Sequence, residues 1–196
     1  MEIFAQYSAH LITVYQAYSP CIAAALLQAQ RLVPPFRFTR MTWIKPSFYW
    51  MAYRSGWGRK EGQEVILEII LERAIFDQLL AQASLTRYAQ HVHGSVEDWR
   101  QEAKRFPNRV QWDPERDYCL ERLDFESLQL GVSAECLGLY DSGIKAITDI
   151  TSVVRSAEND REYYEQVLTG YKQYPVFDPI TAKRLGISSF SAQQEE

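Results

Sequence analysis

Residues 11–18 of the chain are LITVYQAY, and Ser19-Pro20 follow them directly. The eight residues are mostly β-branched or aromatic, which predicts a buried strand. A serine followed by a proline is typical of a helix start, because proline lacks the amide hydrogen that the first helical residue leaves unbonded. An Ala/Leu-rich helix is therefore expected over residues 21–32, and this strand-helix unit is the starting point of the predicted fold.

Further strands and short helices follow at uneven intervals. We predict strands at residues 41–45, 64–72, 109–112, 127–132 and 144–154, and helices at residues 46–55, 73–83, 95–105, 133–140 and 159–169. The uneven spacing argues against a doubly wound parallel sheet. It favours an α+β fold with one mixed, mostly antiparallel sheet flanked by short helices. We expect a single domain over residues 1–170 and an extended, partly frayed C-terminal tail over residues 171–196.

Composition excludes several classes of protein. The 196 residues are 46% hydrophobic, which is ample for a core, and no apolar run approaches the ~20 residues that span a bilayer. The three cysteines are odd in number and widely spaced, which favours a reducing, cytoplasmic setting over a disulfide framework. The three histidines lack further ligands at zinc-binding spacing, so no metal site is predicted.

The distribution of charge is uneven along the chain. No acidic residue occurs between Glu2 and Glu61. Residues 1–60 carry seven Lys/Arg and one acid, a net charge of +6, whereas the remaining residues carry 14 Lys/Arg and 24 acids, a net charge of -10. Because aromatic residues alternate with the basic ones in this acid-free run, the sequence predicts a local site for phosphate, nucleotide or nucleic acid.

The first candidate for that site is the predicted strand-to-helix corner at residues 40–48. Arg40, Trp43 and Lys45 lie on or beside the strand, and Ser47 opens the helix. We expect a phosphate to bind the free backbone N–H groups of the helix start, together with Arg40 and Lys45. The alternative is a structural corner whose aromatic residues belong to the core.

A second candidate is the segment in which Arg54 precedes Gly56, Trp57 and Gly58. Here Trp57 is expected to stack on a base, and Arg54 to pair with a phosphate or a carboxylate. The alternative is a glycine helix cap at Gly56, with Trp57 as its hydrophobic contact.

The third candidate is RVQWDPER, residues 109–116, whose strand is expected to stop at Asp113-Pro114. Alternation along the strand places Arg109 and Gln111 on one face, where they are expected to contact the ligand. Asp113 or Glu115 is then the candidate general base, or the group that orients ligand hydroxyls. The alternative is that these acids are ion-pair partners of Arg40 or Arg54.

Three strings together resemble the family known as domain of unknown function 4291. They are VYQAYSP at residues 14–20, MTWIKPSF at 41–48 with YRSGW at 53–57, and RVQWDPER at 109–116. The resemblance runs from residue 15 to residue 151, and it implies no particular activity.

Two looser resemblances concern fold and function. The strand that carries Gln16 and Tyr18, followed by a helix and a basic strand, is similar to small ADP-ribosyltransferase-like folds. That resemblance implies ligand contacts at Gln16 and Tyr18, although this chain has Gln16 where those enzymes need an Arg or a His, and Gln129 in place of a late Glu. Residues 44–46 with 58–61 resemble RNA-associated PUA-like and ASCH-type barrels.

Two functional hypotheses follow from these patterns. The first is that the chain is an enzyme or a ligand-binding domain for a phosphorylated, nucleotide-like small molecule; if it is an enzyme, the ADP-ribosyltransferase resemblance implies a transferase. The alternative is an RNA-binding module without catalysis, in which the same basic residues follow a backbone and the aromatic residues stack on bases. The acidic remainder of the chain favours a contained pocket. No membrane partner is expected, and the sequence identifies neither a cofactor nor an oligomeric state.

Overall fold

The structure is a computed structural model that describes residues 1–188, and it confirms the α+β class. The strands are β1 Phe4–Ala5, β2 Leu11–Tyr18, β3 Thr42–Ile44, β4 Val65–Glu72, β5 Ala83–Leu85, β6 Asn108–Arg116, β7 Arg122–Val132, β8 Ile144–Asp149 and β9 Lys172–Gln173. The α-helices are α1 Pro20–Ala29, α2 Phe48–Ser55, α3 Arg73–Ala81, α4 Val96–Arg105, α5 Leu137–Gly143, α6 Thr151–Ser156, α7 Arg161–Gly170 and α8 Pro179–Leu185. Within the described residues, no helix is both long enough and apolar enough to cross a membrane.

The strands form three sheets, where the sequence predicted one. Their orders are β1-β9, β2-β4-β8 and β3-β7-β6-β5. Every strand pair is antiparallel except β5 with β6, so the mixed, mostly antiparallel character is confirmed. One hydrophobic core takes side chains from all three sheets, including Ala5 of β1, Leu67 of β4 and Leu130 of β7, and it unites them as a single domain.

The strand β4 is the centre of the second sheet. Its sequence, VILEIILE, fits a strand or a buried helix segment equally well by pattern, and its many Ile and Val residues favour the strand that is observed. All eight residues pair with β2, from Leu11 opposite Glu72 to Tyr18 opposite Val65. The helix α1 then begins at Pro20 with Ser19 as its N-cap, as predicted.

Several predicted element bounds are wrong. The strand β7 begins at Arg122 rather than at residue 127, and α1 ends at Ala29 rather than at residue 32. The strand β6 does not stop at Asp113-Pro114 but continues to Arg116. A proline is tolerated there because β5 pairs with β6 only as far as Val110, which leaves that side of β6 without a neighbouring strand. The predicted strand over residues 144–154 ends at Asp149, whose side chain accepts a hydrogen bond from the Thr151 N–H at 2.8 Å and so starts α6.

The C-terminal segment differs from the extended tail that was predicted from residue 171. Residues 171–188 contain β9, which pairs with β1, and α8, which is capped by the Asp178 side chain. The Trp112 indole N–H of β6 donates to the Leu185 carbonyl at 3.1 Å and ties α8 to the third sheet. The rest of the predicted tail, residues 189–196, lies outside the described residues.

Candidate functional site

The candidate site lies where β2 of the second sheet meets β3 of the third. Tyr15 and Lys45 form an isolated antiparallel bridge between the two strands. One step further along, the Gln16 amide donates to the Thr42 hydroxyl at 2.8 Å and to the Trp43 carbonyl at 3.1 Å, in place of a backbone ladder. A cavity of about 500 Å³ opens on this split between the sheets.

Seven residues predicted from the sequence line this cavity. They are Gln16, Tyr18, Arg40, Trp43, Lys45, Arg54 and Gln111. Five other predicted residues do not line it: Ser47, Trp57, Arg109, Asp113 and Glu115. The site predictions missed further lining residues, of which Met41, Thr42, Gln63 and Gln129 are four. A stretch of basic and aromatic residues indicated the charged part of the site. Gln63 carries no comparable signal, and Gln129 was noted only as the residue in place of a late Glu.

Three cations of the cavity make no ion pair with an acidic side chain that the structure describes. In the part of the chain that the structure describes, Arg40, Lys45 and Arg54 make no ion pair, and their side chains donate no hydrogen bond. Arg40 and Arg54 are exposed, whereas Lys45 is only 6% exposed. A nearly buried ammonium group without a partner is costly unless something in the cavity neutralises it.

Two other cations of the same acid-free run form ion pairs with acids that lie far along the chain. Arg31 pairs with Asp141 at 3.1 Å, and Arg59 pairs with Glu158 at 2.6 Å. The predicted alternative, in which Asp113 or Glu115 pairs with Arg40 or Arg54, is not observed among the described ion pairs. The cavity cations are therefore distinguished from Arg31 and Arg59 by their lack of acidic partners.

The environment of Lys45 makes its charge easy to titrate. Burial and, to a smaller extent, the nearby Arg54 lower the pKa of the Lys45 ammonium to about 8, while Asp113 acts in the opposite direction. The group remains mainly protonated at neutral pH, and it loses its proton at a pH well below that of an ordinary lysine.

Asp113 does not line the cavity, but its carboxylate orients two residues that do. Its carboxylate accepts hydrogen bonds from the Gln111 amide nitrogen, 3.0 Å from each carboxylate oxygen, and from the amide nitrogen of Gln129. Gln111 and Gln129 lie opposite each other on β6 and β7. Asp113 is thus a positioning residue for the two glutamines that line the cavity.

Glu115 is half-buried and lies two residues further along β6. The Arg116 N–H donates to it at 2.9 Å, and the hydroxyls of Ser47 and Ser127 are also hydrogen-bond partners. Burial raises the pKa of the Glu115 carboxyl, and these hydrogen bonds oppose the rise. The hydrogen bond between Glu115 and Ser47 stabilises the turn between β3 and α2. Neither residue lines the cavity.

The helix start at α2, where the anion cradle was predicted, already has hydrogen-bond partners within the fold. The Phe48 N–H donates to the Tyr171 hydroxyl at 2.7 Å, and the Trp50 N–H donates to the Ser47 hydroxyl at 3.0 Å. The Tyr171 hydroxyl in turn donates to the Pro46 carbonyl at 3.1 Å. Side chains of the fold therefore already bind two of the backbone groups that a helix start leaves free.

Trp57 belongs to the core, and the alternative interpretation of its segment is confirmed. Gly56 is the C-cap of α2 with a φ of 56°, a left-handed conformation that favours glycine. Trp57 follows with its N–H donating to the Ala52 carbonyl at 2.8 Å, and its ring is 6% exposed and packs edge-on against Tyr49. No face of Trp57 is open for stacking on a ligand.

Arg109 also serves the fold. Its guanidinium donates to the carbonyl oxygens of Ala103, Phe106 and Asn108, at 2.7, 2.5 and 2.8 Å. The first of these carbonyls belongs to the last turn of α4, where a cation is favourable. Arg109 thus anchors the end of α4 to β6 and does not line the cavity, and its ligand contact stays a prediction.

Gln16 and Tyr18 form the floor of the cavity. Gln16 is 2% exposed, and its amide oxygen accepts a hydrogen bond from the buried Tyr140 hydroxyl at 2.9 Å. The Tyr18 hydroxyl lies 3.1 Å from the Thr42 hydroxyl, and burial raises the pKa of Tyr18 to about 12. Both polar atoms of Gln16 thus have protein partners, so the amide is held in place by the fold.

Trp43 provides a half-buried aromatic wall. Its ring lies over Gly131 of β7, where a Cβ atom would lie 3.0 Å from two ring carbons and 2.6 Å from the Met41 sulfur. The absence of a side chain at residue 131 therefore lets Trp43 and Met41 pack closely on β7. In residues 1–188, no group of three or more His, Cys, Asp or Glu residues is placed to hold a metal ion.

Comparison with known proteins gives a family for the chain. Residues 2–172 match the family model described as "Domain of unknown function (DUF4291)". No curated protein matches the chain.

Proposed function

Because the chain belongs to the DUF4291 family, a family described as a domain of unknown function, we propose a function from the site itself: the protein binds a phosphorylated, nucleotide-like small molecule in the cavity between β2 and β3. The observation that carries the proposal is the set of three cations, Arg40, Lys45 and Arg54, that line the cavity without an ion-pair partner among the described residues. A phosphate among them would be such a partner, and Arg40 and Arg54 favour phosphate because a guanidinium can donate two parallel hydrogen bonds to it.

The cavity and the rest of the chain favour a small ligand over a polymer. A volume of about 500 Å³ lies within the range of small-molecule sites, which is roughly 300–1,000 Å³. Trp43 offers an aromatic surface for a base beside the cations. The net charge of -10 over residues 61–196 would repel a polyanion that extended beyond the cavity.

We confine the proposal to binding. Gln16 occupies the position at which ADP-ribosyltransferase-like folds need an Arg or a His, and its amide is fully engaged with Thr42, Trp43 and Tyr140. Asp113 and Glu115, the two candidate catalytic acids, are both outside the cavity lining. The free thiols of all three cysteines support a reducing, cytoplasmic setting for the binding protein.

Calorimetric titration with AMP and with inorganic pyrophosphate tests the proposal. We expect both to bind at low salt, and Lys45→Met and Arg54→Met each to weaken binding roughly tenfold, as for the loss of a charge-assisted hydrogen bond. Arg31→Met is the matched control, since it removes a cation of the same run that already pairs with Asp141. If neither compound binds at low salt, or if the Lys45 and Arg54 variants bind like the control, the proposal is wrong.

A salt series on the same protein separates a small ligand from RNA. AMP should lose affinity only gently with salt. A single-stranded RNA that contacts several phosphates should instead lose affinity with a slope of about -0.7 for each contact. Tight RNA binding with such a steep slope, together with absent AMP binding, would favour the RNA-binding alternative.

A further inference from the structure

Gln111 and Gln129 form a pair of matched side chains on the cavity wall. They are directly opposite each other in the β6–β7 register, and Asp113 lies two residues beyond Gln111 on the same strand face. Both amide nitrogens donate to the Asp113 carboxylate. Gln129 is 8% exposed, so its side chain has little freedom to adopt another orientation.

The chemistry of Asp113 decides which way the two amides face. An ionised carboxylate can only accept hydrogen bonds, so each glutamine must turn its NH₂ group to Asp113 and its amide oxygen away. Neither amide oxygen accepts a hydrogen bond from a residue that the structure describes. Neither is among the described buried atoms that lack a partner, so both oxygens reach solvent, and both residues line the cavity.

The cavity thus has two chemically distinct parts. The cations Arg40, Lys45 and Arg54 suit an anion, whereas the two fixed oxygens of Gln111 and Gln129 suit hydrogen-bond donors and disfavour a second phosphate. Resting on the proposed function, we infer that the ligand is a ribose phosphate whose vicinal hydroxyls donate to the amide oxygens of Gln111 and Gln129, which Asp113 holds in place. A site with fixed acceptors rejects an analogue that lacks the matching donor, because the acceptor is then left unpaired.

Titration of the protein with AMP, 2′-deoxy-AMP and pyrophosphate tests this inference. We expect AMP to bind roughly tenfold more tightly than 2′-deoxy-AMP, the usual effect of one lost hydrogen bond in a desolvated site. Pyrophosphate has no hydroxyl groups to donate, so it reports on the cations alone. Equal affinities for AMP and 2′-deoxy-AMP, with pyrophosphate also binding, would overturn the inference and leave the proposed function standing. Failure of all three compounds to bind would overturn both.

Two variants test the role that Asp113 has in this selectivity. Asp113→Asn keeps the shape but adds an NH₂ donor, so one glutamine must turn its oxygen toward Asn and withdraw it from the cavity. We expect the preference for AMP to fall to about twofold or less. Pyrophosphate affinity should not fall at a pH well below 8, where Lys45 stays protonated in both proteins, because a negative charge near Lys45 is removed. Gln129→Met should also abolish the preference, and it covers the case in which Asp113→Asn fails to fold.

The control is Gln78→Met, at an exposed position of α3 remote from the cavity lining. It should keep the wild-type preference for AMP. A wild-type preference in folded Asp113→Asn and in folded Gln129→Met would overturn the inference, since the amide oxygens would then play no part in selection.

Discussion

The backbones of Tyr15 and Lys45 exchange two hydrogen bonds, of 2.7 and 3.2 Å, and this pair joins the second sheet to the third. Beyond it, Gln16 takes over the bonding to β3 through its side chain, and the cavity opens. Lys45 is therefore fixed by its backbone at the point where the two sheets separate. Its nearly buried ammonium is held in the cavity before any ligand arrives, which reduces the ordering that binding requires.

The lowered pKa of Lys45 predicts a specific dependence of stability on pH. Its folded pKa is about 8 and its ordinary value is 10.5, so between these values the unfolded chain binds more protons than the folded one. The free energy of unfolding should therefore rise with pH across this window. In Lys45→Met this contribution is absent, and the variant should be the more stable one at pH 7, by up to about 3 kcal/mol.

Urea unfolding of both proteins between pH 7 and pH 10.5 measures this difference. Subtracting the two curves removes the titration of the tyrosines and cysteines that both proteins share. The advantage of Lys45→Met should be constant below about pH 8 and should shrink toward pH 10.5. A difference that stays constant over the whole range would show that Lys45 titrates like an exposed lysine.

Tyr171→Phe should destabilise the start of α2. The substitution removes the acceptor of the Phe48 N–H and the donor to the Pro46 carbonyl, both of which lie in a part-buried corner. Leaving such groups unpaired costs about 1–3 kcal/mol. Tyr163→Phe is the matched control, because among the described residues its hydroxyl has no hydrogen bond, and its effect should stay within about 0.5 kcal/mol. Equal unfolding free energies for the two variants would contradict this role of Tyr171.

The fold class and the charged part of the site could be predicted from local sequence, because both depend on short patterns. Alternation and β-branching identify β2 and β4, and Ser-Pro and Gly mark the ends of α1 and α2. The acid-free run likewise predicts that Arg40, Lys45 and Arg54 are candidate ligand-binding residues. These are properties of residues close together in the chain, which is why a single sequence reveals them.

What could not be predicted depends on contacts between distant residues. The helix start at α2 looked open to phosphate because its blocking group, the Tyr171 hydroxyl, lies 123 residues beyond Phe48. Arg109 was predicted to contact a ligand because strand alternation predicts the sheet face of a side chain but not which groups of the protein pack against that face. The pairing of Gln111 with Gln129 depends on the β6–β7 register, and the separation of the second sheet from the third is visible only in the isolated bridge between Tyr15 and Lys45.

Gly131→Ala should disturb the aromatic wall of the cavity. The added Cβ would lie 2.6 Å from the Met41 sulfur and 3.0 Å from two Trp43 ring carbons, so both side chains must move. We expect a loss of stability of about 1–3 kcal/mol and a shift in tryptophan fluorescence. Gly138→Ala is the control, since nothing lies within 4 Å of the added Cβ and the residue is in α5. That variant should be neutral or more stable by up to about 1 kcal/mol. An unchanged melting temperature and fluorescence in Gly131→Ala would contradict the close packing.

Arg109→Met tests whether Arg109 stabilises the fold without contributing to ligand binding. The guanidinium donates to three carbonyl oxygens around the end of α4, so its removal should lower the free energy of unfolding by about 2–3 kcal/mol. Because Arg109 does not line the cavity, AMP affinity measured well below the melting temperature should stay within about twofold of the wild type. Arg100→Met on the same helix removes only an exposed ion pair with Glu97, at 3.6 Å, and should change stability by less than about 0.5 kcal/mol. The opposite pattern, with stability unchanged and AMP binding lost, would move Arg109 into the binding site and require a ligand that extends along β6 beyond the cavity.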